Sequence, residues 1–86
     1  MADSQLRRVL DCGIVAVVRA PQSDQLVEVA QALADGGVPV VEITMSVPNA
    51  LDVLRQVRQA LGDRVLLGAG TVLDAETARE IGRAHV

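Results

Sequence analysis

Three short apolar runs recur along the chain, and each is followed by a stretch whose apolar positions repeat at helical spacing. The runs are Ile14–Val18, Val40–Thr44 and Val65–Gly68, and their starts lie 26 and 25 residues apart. Valine and isoleucine dominate the first two, which suits strands buried on a pleated face. After the first run, Leu26, Ala30, Leu33 and Ala34 share one face of a helix that starts at Ser23, a good N-cap, and stops at Gly36-Gly37. After the second, Leu51, Leu54, Val57 and Leu61 mark a helix that starts around Pro48-Asn49 and ends at Gly62. Asp74 is placed to cap a third helix that runs to the C-terminus. Leu6, Val9 and Leu10 predict a short helix over residues 4–11.

Strands alternating with helices imply an α/β fold with a parallel sheet and right-handed crossovers. A repeat of about 25 residues is close to that of a (β/α)8 barrel. Three such units leave an interior face uncovered and both sheet edges unpaired. The expected fold class is therefore the N-terminal three βα units of a truncated TIM barrel, with residues 1–80 as a partial barrel domain.

Residues 81–86 read differently. Ile81-Gly82-Arg83-Ala84-His85-Val86 resembles the translation of a common short-read sequencing adapter, whose next codon in that frame is a stop. The alternative is a natural helix end broken at Gly82. The expectation is a non-native tail, and it takes the only histidine, His85, out of consideration.

Composition narrows the function classes. Half of the 86 residues are apolar and 22% are charged, an ordinary globular balance. A net charge of −3 argues against a nucleic-acid-binding surface. The longest apolar run, Ile14–Val18, is far short of a membrane span, and the first residues lack the basic start and apolar run of a signal peptide. Cys12 stands alone, so neither an internal disulfide nor a cysteine metal cluster is expected, and a reducing, cytoplasmic setting is the default. All eight basic residues are arginines. Without lysine, this chain cannot by itself supply a Schiff-base or P-loop amine.

Five positions draw attention as chemistry. In the second strand, alternation puts Val41 and Ile43 on the helix side and Glu42 on the interior side, toward the end where barrels hold catalytic residues. The alternative is a structural glutamate bridged to an arginine or water. Gly68-Ala69-Gly70-Thr71 closes the third strand; Gly70 lets a backbone approach a small anion, and Thr71 adds a hydroxyl and an amide. A tight βα turn explains the same residues. Arg19 ends the first strand, where it either holds a carboxylate or phosphate or lies solvated in the loop. Arg19, Glu42 and Thr71 occupy equivalent places at three successive strand ends. Ser46, in the loop after the second strand, is a candidate substrate contact.

The combination of Ile14-Val15-Ala16-Val17-Val18-Arg19, Gly36-Gly37, Val41-Glu42-Ile43-Thr44-Met45 and Leu67-Gly68-Ala69-Gly70-Thr71-Val72-Leu73 resembles the 2-keto-3-deoxy-6-phosphogluconate (KDPG) / 4-hydroxy-2-oxoglutarate (KHG) aldolase family, in order, from about residue 5 to residue 79. The resemblance implies a metal-free, cofactor-free class I aldolase on a barrel of roughly 200 residues, a homotrimer, with a lysine on the sixth strand forming an imine with pyruvate or the keto-acid substrate. Glu42 matches the family's proton-shuttling glutamate, Thr71 a threonine that binds the pyruvyl carboxylate, and Arg19 an arginine at the end of the first strand. Two departures stand out. Some members carry an arginine where this chain has Ser46, and the sixth strand with its lysine is absent from these residues. The chain alone is therefore expected to be inactive. Two other readings remain open: a small βα module that binds a phosphate or keto acid at Gly68–Thr71, and a half-barrel that assembles with copies of itself.

Overall fold

The computed structural model describes residues 2–19 and 25–84. Helix α1 (Ala2–Cys12) leads into β1 (Ala16–Val18), then α2 (Leu26–Asp35), β2 (Val40–Thr44), α3 (Ala50–Leu61), a 3-10 turn over Gly62–Arg64, β3 (Leu66–Gly70) and α4 (Ala75–Ala84). The strands form one parallel sheet in the order β1-β2-β3. This is the architecture of the first βα units of a TIM-barrel-like protein, as the alternation implies.

The core lies between the sheet and helices α2 and α3. Val41 and Ile43 are 1% and 0% exposed and pack with Leu26, Ala30, Val53 and Leu54. Each fully buried aliphatic side chain of this kind stabilises by about 1.5–3 kcal/mol. In α3 the buried face is Ala50, Val53, Leu54, Val57 and Leu61. Leu51, expected on that face, is only half-buried at its edge, and Val53 is buried in its place beside Leu54 and Val57.

Gly36-Gly37 stops α2 as expected, and the hydrogen bonds show how. Gly37 has φ +98, its N–H donates to Ala34 O at 3.1 Å, and the Val38 N–H donates to Leu33 O at 2.8 Å. This is the paired closure of a Schellman motif, which needs a residue without a Cβ at the left-handed position. The Ser23 cap lies outside the described residues. Helix α3 starts after Asn49, whose φ of 56 is left-handed and whose side chain caps nothing.

Three strand boundaries differ from expectation, one of them the start of β3 at Leu66 and not Val65. β1 begins at Ala16, not Ile14. Gly13, at φ +74, turns the chain out of α1, and Ile14 and Val15 precede the first pairing, Ala16 with Val41. β3 runs on to Gly70 because Ala69 and Gly70 find partners in Ile43 and Thr44. Helix α1 lies at the N-terminal end of the sheet's inner face. Gln5, Leu6 and Val9 share a recess there with Val15 and Val40, and Arg8 Nη2 donates to Asp63 O at 3.1 Å. Helix α4 continues through residue 80 without a break, and Ile81 packs partly against the core. His85 and Val86 lie outside the described residues. No described helix is long and apolar enough to cross a membrane.

Much apolar surface stays open. Leu6, Leu10, Ile14, Val15 and Val17 are 57%, 63%, 58%, 45% and 52% exposed. Among the described residues, β1 and β3 are paired on one side only. A surface of this kind invites association. The isolated 86-residue chain is expected to be oligomeric or to melt without a sharp transition. Light scattering and thermal unfolding at low concentration check this, and a cooperative monomer would contradict it.

Candidate functional site

Glu42 is the one ionisable residue within the three strands. Its direction follows from the two-residue period of β2. Val41 and Ile43 are buried against the helices, so Glu42 projects from the opposite, inner face. Register places it between Val17 of β1 and Gly68 of β3. It is half-buried, and among the described residues it has no hydrogen bond or ion pair. No described arginine bridges it. It borders the recess beneath α1, an open space of about 500 Å³.

Side chains in a strand lean along the strand direction, and the Glu42 carboxylate leans over Gly70. A Cβ built on Gly70 would stand 2.6 Å from Glu42 Oε2 and 2.8 Å from Cδ. At Gly68 a Cβ would meet only Val41 O, at 4.0 Å. The bare backbone at Gly70 is therefore what leaves room for the carboxylate.

The register corrects one expectation. Arg19, Glu42 and Thr71 are not at equivalent places. Glu42 is level with Val17 and Gly68, so Arg19 and Thr71 come two and three residues farther toward the C-terminal rim. The reason is where the strands end: β3 continues two residues past Gly68, the end of its apolar run. Arg19 follows β1 directly, is exposed, and has no ion pair among the described residues.

Thr71 has φ +59, a left-handed conformation that costs a β-branched residue about 1–3 kcal/mol. This turn breaks the strand alternation. Thr71 lines a second recess, of about 350 Å³, with Met45, Asn49, Leu51, Asp74 and Thr77. Glu42 does not border it. The structure thus brings Glu42 and Gly70 together and keeps Arg19 and Thr71 at the rim.

The hydroxyls of Ser46 and Thr44 share a hydrogen bond at 2.8 Å, and Thr44 is 1% exposed. Sequence reasoning named Ser46 as a ligand contact and missed this pairing. The available signal was a polar residue at an inner strand position with a hydroxyl two residues on. Gln5 beside the Glu42 recess was also missed, because helical periodicity says nothing of where α1 docks.

Asp74 caps α4 as expected: the Thr77 N–H donates to Asp74 Oδ1 at 2.7 Å. Asp35 pairs with Arg64 at 2.6 Å with both side chains more than half exposed, a geometry worth little in water.

A parallel βα sheet with its polar groups gathered toward the strand C-termini is the arrangement of barrel enzymes. The sequence assigns the chain within that class: it belongs to the KDPG and KHG aldolase family, whose profile, "Aldolase: KDPG and KHG aldolase", matches residues 4–86. It is 37% identical over 67 residues to a 2-dehydro-3-deoxy-phosphogluconate aldolase of Treponema pallidum, covering 78% of this chain and 31% of that protein. It is 32% identical over 71 residues to the KHG/KDPG aldolase of Escherichia coli K12, covering 83% of this chain and 33% of that protein. A 2-dehydro-3-deoxy-phosphogluconate aldolase of Pseudoalteromonas atlantica is 34% identical over 71 residues, with 83% and 33% covered. The chain thus spans about a third of the length of these relatives.

Hydrogen bonding from the Thr77 backbone and side chain lowers the Asp74 pKa below its ordinary value of 3.8. A carboxylate whose folded pKa is depressed stabilises fully above its unfolded value and loses that contribution as pH falls through the folded one. The carboxyl carbon of Asp74, followed by NMR, is expected to titrate below 3.8, and the Thr77 amide resonance should move with it. Titration at or above the ordinary value would show that the cap does not form.

Proposed function

We propose that these residues belong to a class I aldolase that cleaves 2-keto-3-deoxy-6-phosphogluconate, 4-hydroxy-2-oxoglutarate or both, giving pyruvate and an aldehyde. In this reading a lysine outside the present residues condenses with the substrate's keto carbonyl and releases water. The imine then accepts the electron pair of the breaking carbon–carbon bond. Glu42 removes the proton from the hydroxyl that becomes the aldehyde, and returns a proton to the enamine carbon that becomes the pyruvate methyl. Hydrolysis of the imine frees pyruvate and regenerates the amine. No metal or organic cofactor takes part.

The observation that carries this reading is the Glu42 carboxylate. It stands on the inner face over Gly70, with no partner among the described residues, in a chain of the aldolase family. A carboxylate free of a fixed counter-ion is available to exchange protons. The rim residues fit the substrate's anionic ends. Arg19 offers a charged fork, and Thr71 offers a hydroxyl, while the backbone at Gly70 is taken up by the Glu42 carboxylate. Ser46 contributes less as a ligand group, because its hydroxyl is already shared with Thr44. The 86-residue chain, which holds no lysine, is inactive alone in this reading.

The test is Glu42→Gln in the full-length enzyme. The amide keeps the shape and cannot carry the proton. Turnover is expected to fall by about 10²–10⁴-fold, with the fold intact by circular dichroism. A kcat within about threefold of the parent, far below that range, would remove Glu42 from the mechanism.

A further inference from the structure

We propose that Gly70 is a positioning residue for Glu42: its missing Cβ is the seat that holds the carboxylate in its working place. The inference rests on the aldolase reading above and adds a residue that acts through another and touches no reacting atom itself.

Three observations carry it. First, the three atoms nearest to a Cβ at Gly70 all belong to the Glu42 side chain, with Oε2 at 2.6 Å, Cδ at 2.8 Å and Oε1 at 3.2 Å. Ordinary contact needs about 3.5 Å, so an added methyl pushes the carboxylate back by roughly 1 Å. Second, the Gly70 backbone does not need glycine. Positive φ occurs at Gly13, Gly37 and Gly62 and not at Gly70, so alanine fits the strand conformation there. Third, the neighbouring inner-face glycine behaves differently: a Cβ at Gly68, directly opposite Glu42, meets only Val41 O at 4.0 Å. The demand for a bare backbone is therefore confined to the position under the carboxylate.

The atoms that must give way form the free end of a flexible side chain. Replacing Gly70 should cost little stability and should act through Glu42. The experiment compares Gly70→Ala with the parent in the full-length enzyme. A misplacement of about 1 Å can lower catalysis by about 100-fold, so kcat is expected to fall by between tenfold and a hundredfold. KM should stay within about threefold, because a proton-transfer group acts in the transition state. The melting temperature should move by no more than about 2–4 °C. In the Glu42→Gln background, Gly70→Ala should lower turnover by less than about twofold, since residues acting as a unit are not additive. Glu42→Asp, one methylene shorter, should cost less in the G70A background than in the parent.

A second readout does not depend on activity. With glutamate labelled at the carboxyl carbon, the Glu42 resonance should shift in Gly70→Ala and stay in place in Gly68→Ala. An unmoved resonance in Gly70→Ala overturns the proposal. So does an equal loss of turnover with and without Glu42, which would mean that Gly70 matters for the substrate or the fold. If Glu42→Gln leaves turnover unchanged, the catalytic reading has failed, and the resonance alone decides whether Gly70 seats the carboxylate.

Discussion

Helices α2 and α3 close over one face of β2, and the burial of Val41 and Ile43 there, at 1% and 0% exposure, sets the direction of every other residue in the strand. A slip of one residue would expose both, forfeiting about 1.5–3 kcal/mol for each. It would also drive Glu42 into the apolar layer, where an unpaired charge costs several kcal/mol. The two penalties act in the same direction. Glu42 therefore stands on the inner face because its neighbours in sequence cannot.

From that constraint the rest of the site follows by pairing. β1 and β3 join β2 in parallel, so their inner-face residues line up beside Glu42 as Val17 and Gly68. β3 contributes glycine at both of its last inner positions, Gly68 and Gly70, and the second glycine receives the carboxylate. Beyond the strands, the left-handed turn at Thr71 redirects the chain, and the Ser46–Thr44 hydrogen bond holds the opposite loop. Strain and polar pairing are both found at the C-terminal rim, while at the N-terminal end of the inner face Leu6 and Val9 of α1 line an open recess.

The strand order, the parallel pairing and the inward direction of Glu42 were legible in the sequence, because each depends on local periodicity and on the rules of βα connection. The stop at Gly36-Gly37 and the cap at Asp74 were legible for the same reason, since both are short-range devices. The strand ends were less so. Ala69 and Gly70 have no strand propensity of their own and join β3 only because Ile43 and Thr44 lie alongside. The relative heights of Arg19, Glu42 and Thr71 depend on that long-range register. The place of α1 depends on tertiary docking that no heptad or helical pattern encodes. The seat at Gly70 is legible only with coordinates, because it concerns a side chain crossing from one strand to the next.

The central claim is that the inner face beside Glu42 is where the carbon–carbon bond is made and broken. A crystal structure of the full-length enzyme after borohydride reduction in the presence of pyruvate tests it most directly. The account predicts a three-carbon adduct on a lysine outside these 86 residues, projecting into the inner face with the Glu42 carboxylate within hydrogen-bond reach, about 2.6–3.2 Å. An adduct fixed elsewhere, with Glu42 remote from it, would contradict the account.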